Sequence, residues 1–166
     1  MDQDIASLMA ALGSPQETAR AEAAERLSRV EPAEMRAAAL VMVEACGDES
    51  EAVREAAASA LEELGAPAPE QLEGLIGLLT GDKADVAYWA ATLIGRLGRD
   101  AAAAVPALVE ALQDSPYQNV RQRAAWALGR IGPGASAARE ALRAAAASDD
   151  ARLARLAEGA LAQFEP

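Results

Sequence analysis

Residues Val105 to Gly132 read VPALVEALQDSPYQNVRQRAAWALGRIG. Val105, Leu108, Val109 and Leu112 fall at the i, i+3, i+4, i+7 spacing that lines one face of an α-helix. Past the turn Asp114-Ser115-Pro116, a second apolar stripe runs through Val120, Ala124, Leu128 and Ile131, with Ala125 and Ala127 beside it. Pro116 suits the first turn of that second helix, where its missing N–H is no loss, and Ser115 suits its N-cap. Gly132 follows the last apolar residue, where a left-handed helix terminus favours glycine. A pair of ~11-residue helices cannot hide its apolar face alone and is marginal in water. The stretch therefore predicts a helical hairpin that needs neighbours.

Outward from it, the chain supplies them. The last apolar position of the first helix recurs as Leu12, Cys46, Leu79, Leu112 and Ala145, at spacings of 34, 33, 33 and 33 residues. The central apolar position of the second helix recurs as Leu27, Leu61, Ile94, Leu128 and Leu161, preceded four residues earlier by Ala23, Ala57, Ala90, Ala124 and Ala157. Self-similarity at a fixed period of this length marks a repeat array, in which each unit buries its face on the next. Five units result, at about 1–32, 33–66, 67–99, 100–132 and 133–166, forming a single domain over 1–166.

The phrases AVPALVEALQDS (Ala104 to Ser115) and VRQRAAWALGRIG (Val120 to Gly132) resemble the HEAT-like repeat, in the subgroup first described from phycobilin lyases. The resemblance spans nearly the whole chain and weakens in the first and last repeats. It implies an all-α fold, a right-handed α-solenoid of about five helical-hairpin repeats and about ten helices. In such a solenoid the first helices lie outside and the second helices line the concave face. It says little about function, because the family serves mainly as a binding scaffold. In that family an arginine near the start of the second helix bonds turn aspartates in a ladder. Arg20, Arg54 and Arg121 occupy this position, with Asp48 and Asp114 as candidate acceptors, while Ala87 and Ala154 interrupt it.

Composition agrees with a helical array. Alanine is about a quarter of the 166 residues, far above ordinary usage, and its small side chain lets helices approach closely. Gly74 and Gly77 inside the first helix of repeat 3 each cost about 1 kcal/mol of propensity, which predicts the softest helix there. Met1-Asp2-Gln3-Asp4 is acidic and lacks the basic start of a secretory signal, and it places Asp2 and Asp4 at an exposed end. No apolar run is long enough to span a bilayer. The one cysteine, Cys46, falls at a core position and excludes an internal disulfide, which fits a reducing, cytoplasmic setting.

The net charge of −11 is uneven: repeats 1 to 5 carry −3, −6, −1, 0 and −1. A field of this sign repels phosphate backbones, so nucleic acid is not an expected partner, nor is a membrane. The chain contains no histidine, which removes histidine bases, histidine-activated nucleophiles and histidine metal ligands. It lacks the His-Glu pairs that hold iron in the HEAT-type enzyme deoxyhypusine hydroxylase. One cysteine cannot build a zinc site. The acidic clusters lack calcium-loop spacing, and Asp48, Asp149 and Asp150 fall where carboxylates cap helices. No enzymatic activity, cofactor or metal is expected.

The aromatic residues carry the remaining signal. Tyr88, Trp89, Tyr117 and Trp126, four of the five, fall in repeats 3 and 4. Trp89 and Trp126 lie on the stripe of the second helices opposite Ala90/Ile94 and Ala124/Leu128, with Arg96, Arg123 and Arg130 on the same stripe. Tryptophan, tyrosine and arginine are the types enriched in binding hot spots. Tyr88, Trp89, Arg96, Arg123, Trp126 and Arg130 are therefore the candidate site for a protein partner, on a chain expected to be monomeric. Packing of the tryptophans against neighbouring helices is the competing account. Two further readings come from the resemblance: a bilin lyase-like protein holding a tetrapyrrole, and a HEAT-type DNA glycosylase, which the acidic charge opposes. Arg139, on the outer side of repeat 5, is expected to be a neutral surface residue.

Overall fold

The computed structural model describes residues 4–164. Asp2, predicted at an exposed end, lies outside the described residues, as do the final two residues of repeat 5. Helices α1 (Ile5–Ala11) and α2 (Glu17–Leu27) form the first hairpin. In the second, α3 (Pro32–Met35) and α4 (Ala39–Ala45) are one arm broken by a 3₁₀ turn at Arg36–Ala38, and α5 (Glu51–Glu63) is the other. Then follow α6 (Leu72–Leu79) with α7 (Ala84–Leu97), α8 (Val105–Asp114) with α9 (Gln118–Ile131), and α10 (Arg139–Ala146) with α11 (Ala151–Ala162). Among the described residues there is no strand, and no helix is long and apolar enough to cross a membrane.

The chain packs as two compact units, Met1–Gln71 and Leu72–Pro166. The division falls at the start of α6, which contains Gly74 and Gly77. In the first unit α2 packs on α1 and on α5, and α5 packs on α4. In the second, α7, α9 and α11 stack in one layer, while α6, α8 and α10 stack in another.

Within each unit the second helices stack on one another along a row of alanines. Ala23, Ala57, Ala90, Ala124 and Ala157 are all buried, as are the larger Leu27, Leu61, Ile94 and Leu128. Cys46 is buried at its core position. Gly98 and Gly132 close α7 and α9 with φ of 60° and 72°, where a side chain would strain the backbone. Each is followed by a 3₁₀ segment, Gly98–Ala104 or Gly132–Ala138. These segments bend at Ala101 and Ala135, both fully buried, before α8 and α10 begin.

Some local expectations change. α9 starts at Gln118, so Pro116 precedes the helix instead of sitting in its first turn. The Ser115 hydroxyl accepts from the Tyr117 N–H and closes a turn there, leaving Ser115 outside the N-cap position. Arg139, expected on the outer surface of repeat 5, is half-buried and has partners. Its guanidinium lies 5.5 Å from the centre of the Phe164 ring and donates to the Phe164 carbonyl at 3.1 Å.

The arginine ladder has one complete rung. Arg20 donates from Nε and Nη2 to the two carboxylate oxygens of Asp48, at 2.7 and 3.0 Å, and from Nη1 to the Ser14 carbonyl. This bidentate pairing raises the Arg20 pKa. Arg54 donates to the Asp48 and Glu49 carbonyls, and Arg121 to the Ser115 carbonyl at 2.6 Å. Asp114 is exposed and, among the described residues, holds no arginine. The reason is a missing donor: the arginine of the Arg20–Asp48 rung comes from the preceding repeat, and the matching position before Asp114 holds Ala87.

Candidate partner-binding face

The second helices of the Leu72–Pro166 unit present their outward stripe through positions set by the repeat. Counted back from Ile94, Leu128 and Leu161, the residues six positions earlier are Tyr88, Gln122 and Arg155. Those five earlier are Trp89, Arg123 and Leu156, and those two earlier are Thr92, Trp126 and Gly159. The equivalent positions in α2 and α5 are Ala21, Glu22 and Glu25, then Glu55, Ala56 and Ser59. One register thus carries carboxylates in the first unit and aromatic and arginine side chains in the second.

The six predicted site residues divide into three groups. Tyr88, Arg123 and Trp126 form a stacked cluster linking α7 and α9. The Arg123 guanidinium lies 4.6 Å from the centre of the Tyr88 ring and 5.0 Å from that of Trp126, and it donates to the Tyr88 hydroxyl. Such a cation between two rings holds all three side chains in place. Trp89 and Arg96 form a second group: Trp89 meets Tyr88 edge-on at 5.7 Å and 86°, and Arg96 lies 5.9 Å from the Trp89 ring centre. Trp89 is only 9% exposed. The expectation of a presented tryptophan therefore fails at this position, because its ring turns into the helix layer. It supports Tyr88 from behind. Arg130 stands apart and exposed.

Trp126 is half-buried, and its ring rests on α7 at Gly95. A Cβ on Gly95 would collide with Cζ3 and Cε3 of the indole. The glycine is what lets the tryptophan lie flat across the helix junction. Thr92, beside it, turns its hydroxyl to the Tyr88 carbonyl at 2.8 Å.

Two cavities flank Trp126. One, of about 380 Å³, is lined by Tyr88, Gln122, Arg123, Trp126, Arg152 and Leu156 among others. The other, of about 340 Å³, is lined by Trp126, Gly129, Arg130, Arg155, Leu156 and Gly159 among others. Among the described residues no carboxylate lines either. Asp150 lies nearby, but its oxygens accept from the Gln118 and Gln122 amides and from the Arg152 and Leu153 N–H groups. The hydrogen bonds from Gln122, then Gln118, then the α11 N-terminus hold its pKa at about 2, below the usual 3.8. That carboxylate caps α11, as the sequence predicts for this turn.

Arg152, Arg155, Leu156, Gly129 and Gly159 were not among the predicted site residues. Leu156 was findable, since it occupies the same repeat position as Trp89 and Arg123. The glycines carried no signal in one dimension. Tyr117 stands apart from the site, its hydroxyl donating to the Asp82 carbonyl at 2.7 Å. Among the described residues no three His, Cys, Asp or Glu side chains group as metal ligands.

The model of the HEAT repeats family matches residues 5–91 and 72–162. The chain belongs to the HEAT repeat family, and its fold is an all-α solenoid of helical hairpins. An engineered protein matches 98% of the chain and 80% of its own length, at 23% identity and a TM-score of 0.68. A designed armadillo repeat protein in complex with the peptide (KR)4 matches 97% of the chain and 82% of its own length, at 19% identity and a TM-score of 0.67. The complex of CpcE and CpcF of phycocyanin lyase from Nostoc sp. PCC7120 matches 99% of the chain at 24% identity and a TM-score of 0.67. There the match covers 66% of the other chain. No curated protein sequence matches.

Proposed function

We propose that this protein is a non-enzymatic scaffold that binds an acidic segment of a protein partner across α7, α9 and α11. The observation that carries this reading is the cleft beside Trp126. It combines apolar walls from Tyr88, Trp126 and Leu156 with the guanidinium groups of Arg123 and Arg152, and among the described residues no carboxylate lines it. Pre-stacking of Arg123 between Tyr88 and Trp126 lowers the entropy lost when a partner docks. Arginines so placed meet partner carboxylates with paired hydrogen bonds. The fold's suitability for peptides is supported by the designed armadillo relative, which carries a basic one. The charge of the present cleft selects the opposite sign.

The test is capture by a photo-crosslinking residue at Asn119, on the cleft wall. A partner captured by the otherwise wild-type protein should be lost from the Arg123→Ala and Trp126→Ala variants, each weakening binding by at least ~2 kcal/mol. Both variants should keep their helical circular dichroism. Folded variants that bind as tightly as wild type would place the partner elsewhere.

A further inference from the structure

The second cavity is a place where the repeat is interrupted by one side chain. Trp126 rests on Gly95, which follows Ile94, with Ala127 beside it and Arg96 one residue further along α7. One repeat later each part of that seat recurs: Gly129 follows Leu128, Ala160 takes the place of Ala127, and Arg130 takes the place of Arg96. Only the indole is absent, because Gly159 stands where Trp126 stands. A Cβ on Gly159 would meet no atom within 4 Å, whereas one on Gly129 would lie 3.0 Å from the Ala160 Cα. The floor is as closely packed as under Trp126, and the space above it is open.

We infer that this cavity over Gly129 and Gly159 seats an aromatic side chain supplied by the partner, with adjacent carboxylates of that partner meeting Arg130 and Arg155. The inference rests on the reading of the α7–α9–α11 face as a partner-binding surface and names what one part of it selects. Size and shape fit a ring. The cavity of about 340 Å³ is walled by Trp126 on one side and Leu156 on the other. A ring entering there gains an aromatic neighbour as well as apolar burial. Its rim carries two cations, since Arg130 and Arg155 are exposed and, among the described residues, no acid lines the space. The partner motif is thus an aromatic residue flanked by Asp or Glu. Trp126 shows, within the same chain, how such a ring lies on a helical glycine.

A random peptide library displayed on phage and selected on the wild-type protein tests this. Recovered peptides should share a tryptophan, phenylalanine or tyrosine beside acidic residues. Synthetic copies should bind at least tenfold more weakly to Gly159→Trp, whose own indole would fill the seat, while Arg143→Ala, on α10 and outside the cavity lining, binds within twofold of wild type. Arg130→Ala and Arg155→Ala should each weaken binding several-fold. Circular dichroism establishes that every variant is folded, and a Gly159→Trp variant that fails to fold is replaced by Gly159→Leu, which fills the same space. Peptides that are acidic but not aromatic, depend on Arg123 and ignore Gly159→Trp would overturn the inference while leaving the partner-binding reading intact. Failure to enrich any peptide would overturn both. A Gly159→Trp-sensitive site that takes an open-chain tetrapyrrole and no peptide would overturn the proposal in favour of a pigment.

Discussion

The Trp126 indole lies directly on the Cα of Gly95, ring carbons filling the space a β-carbon would need. Gly95→Ala should therefore destabilise the protein by about 1–3 kcal/mol through overpacking, despite alanine's better helix propensity. Gly159→Ala, in open space inside α11, should do the opposite and gain up to about 1 kcal/mol. Urea denaturation of both variants checks the contrast. Equal effects would mean the indole is free to leave Gly95.

Ala124 is fully buried where α9 stacks on α7 and α11. Ala124→Leu forces extra methyl groups into that junction and should cost about 1–3 kcal/mol. An unchanged midpoint in urea would show that the helices separate at little cost.

The broken ladder can be repaired. Ala87 stands at the position of Arg20, beside a cavity of about 260 Å³ lined by Gly81, Glu110, Asp114 and Ser115 among others. Ala87→Arg should extend into this space and pair with Asp114, raising stability by up to about 1 kcal/mol, a gain that shrinks in high salt. Loss of stability, or a gain insensitive to salt, would show that the two groups do not meet.

Asp150 gives a pH dependence with a definite sign. Its folded pKa of about 2 lies below the usual 3.8, so the unfolded chain takes up the proton first as the pH falls. Its contribution to stability is complete above about pH 4 and disappears towards pH 2. The stability gap between wild type and Asp150→Asn should be constant at neutral pH and close across that window. A gap unchanged down to pH 2 would mean that the Gln118 and Gln122 amides do not favour the charged carboxylate.

The architecture was legible because the period repeats in two independent stripes. Leu128 and its equivalents, together with the alanines four residues earlier, set both the hairpin and its stacking face. The site was legible only in composition. Aromatic and arginine side chains marked α7 and α9, but periodicity alone could not orient Trp89 inward and Trp126 outward. The seat of Trp126 depends on Gly95, a contact across helices with no pattern along the chain. Asp114 failed as a ladder acceptor because its donor must come from the preceding repeat, where Ala87 stands, a pairing across repeats that only the Arg20–Asp48 rung reveals.

The placement of the tryptophans also makes the protein its own optical reporter. Both belong to Leu72–Pro166, and Met1–Gln71 has none. Intrinsic fluorescence therefore follows the second unit alone, while far-ultraviolet circular dichroism follows the helices of both. Unfolding curves that coincide by the two signals would make the units one thermodynamic system, and curves that separate would measure how far each melts independently. Trp89, enclosed, reports that melting. Trp126, half-buried beside the cleft, would report occupancy of the proposed site by a shift in emission without any label.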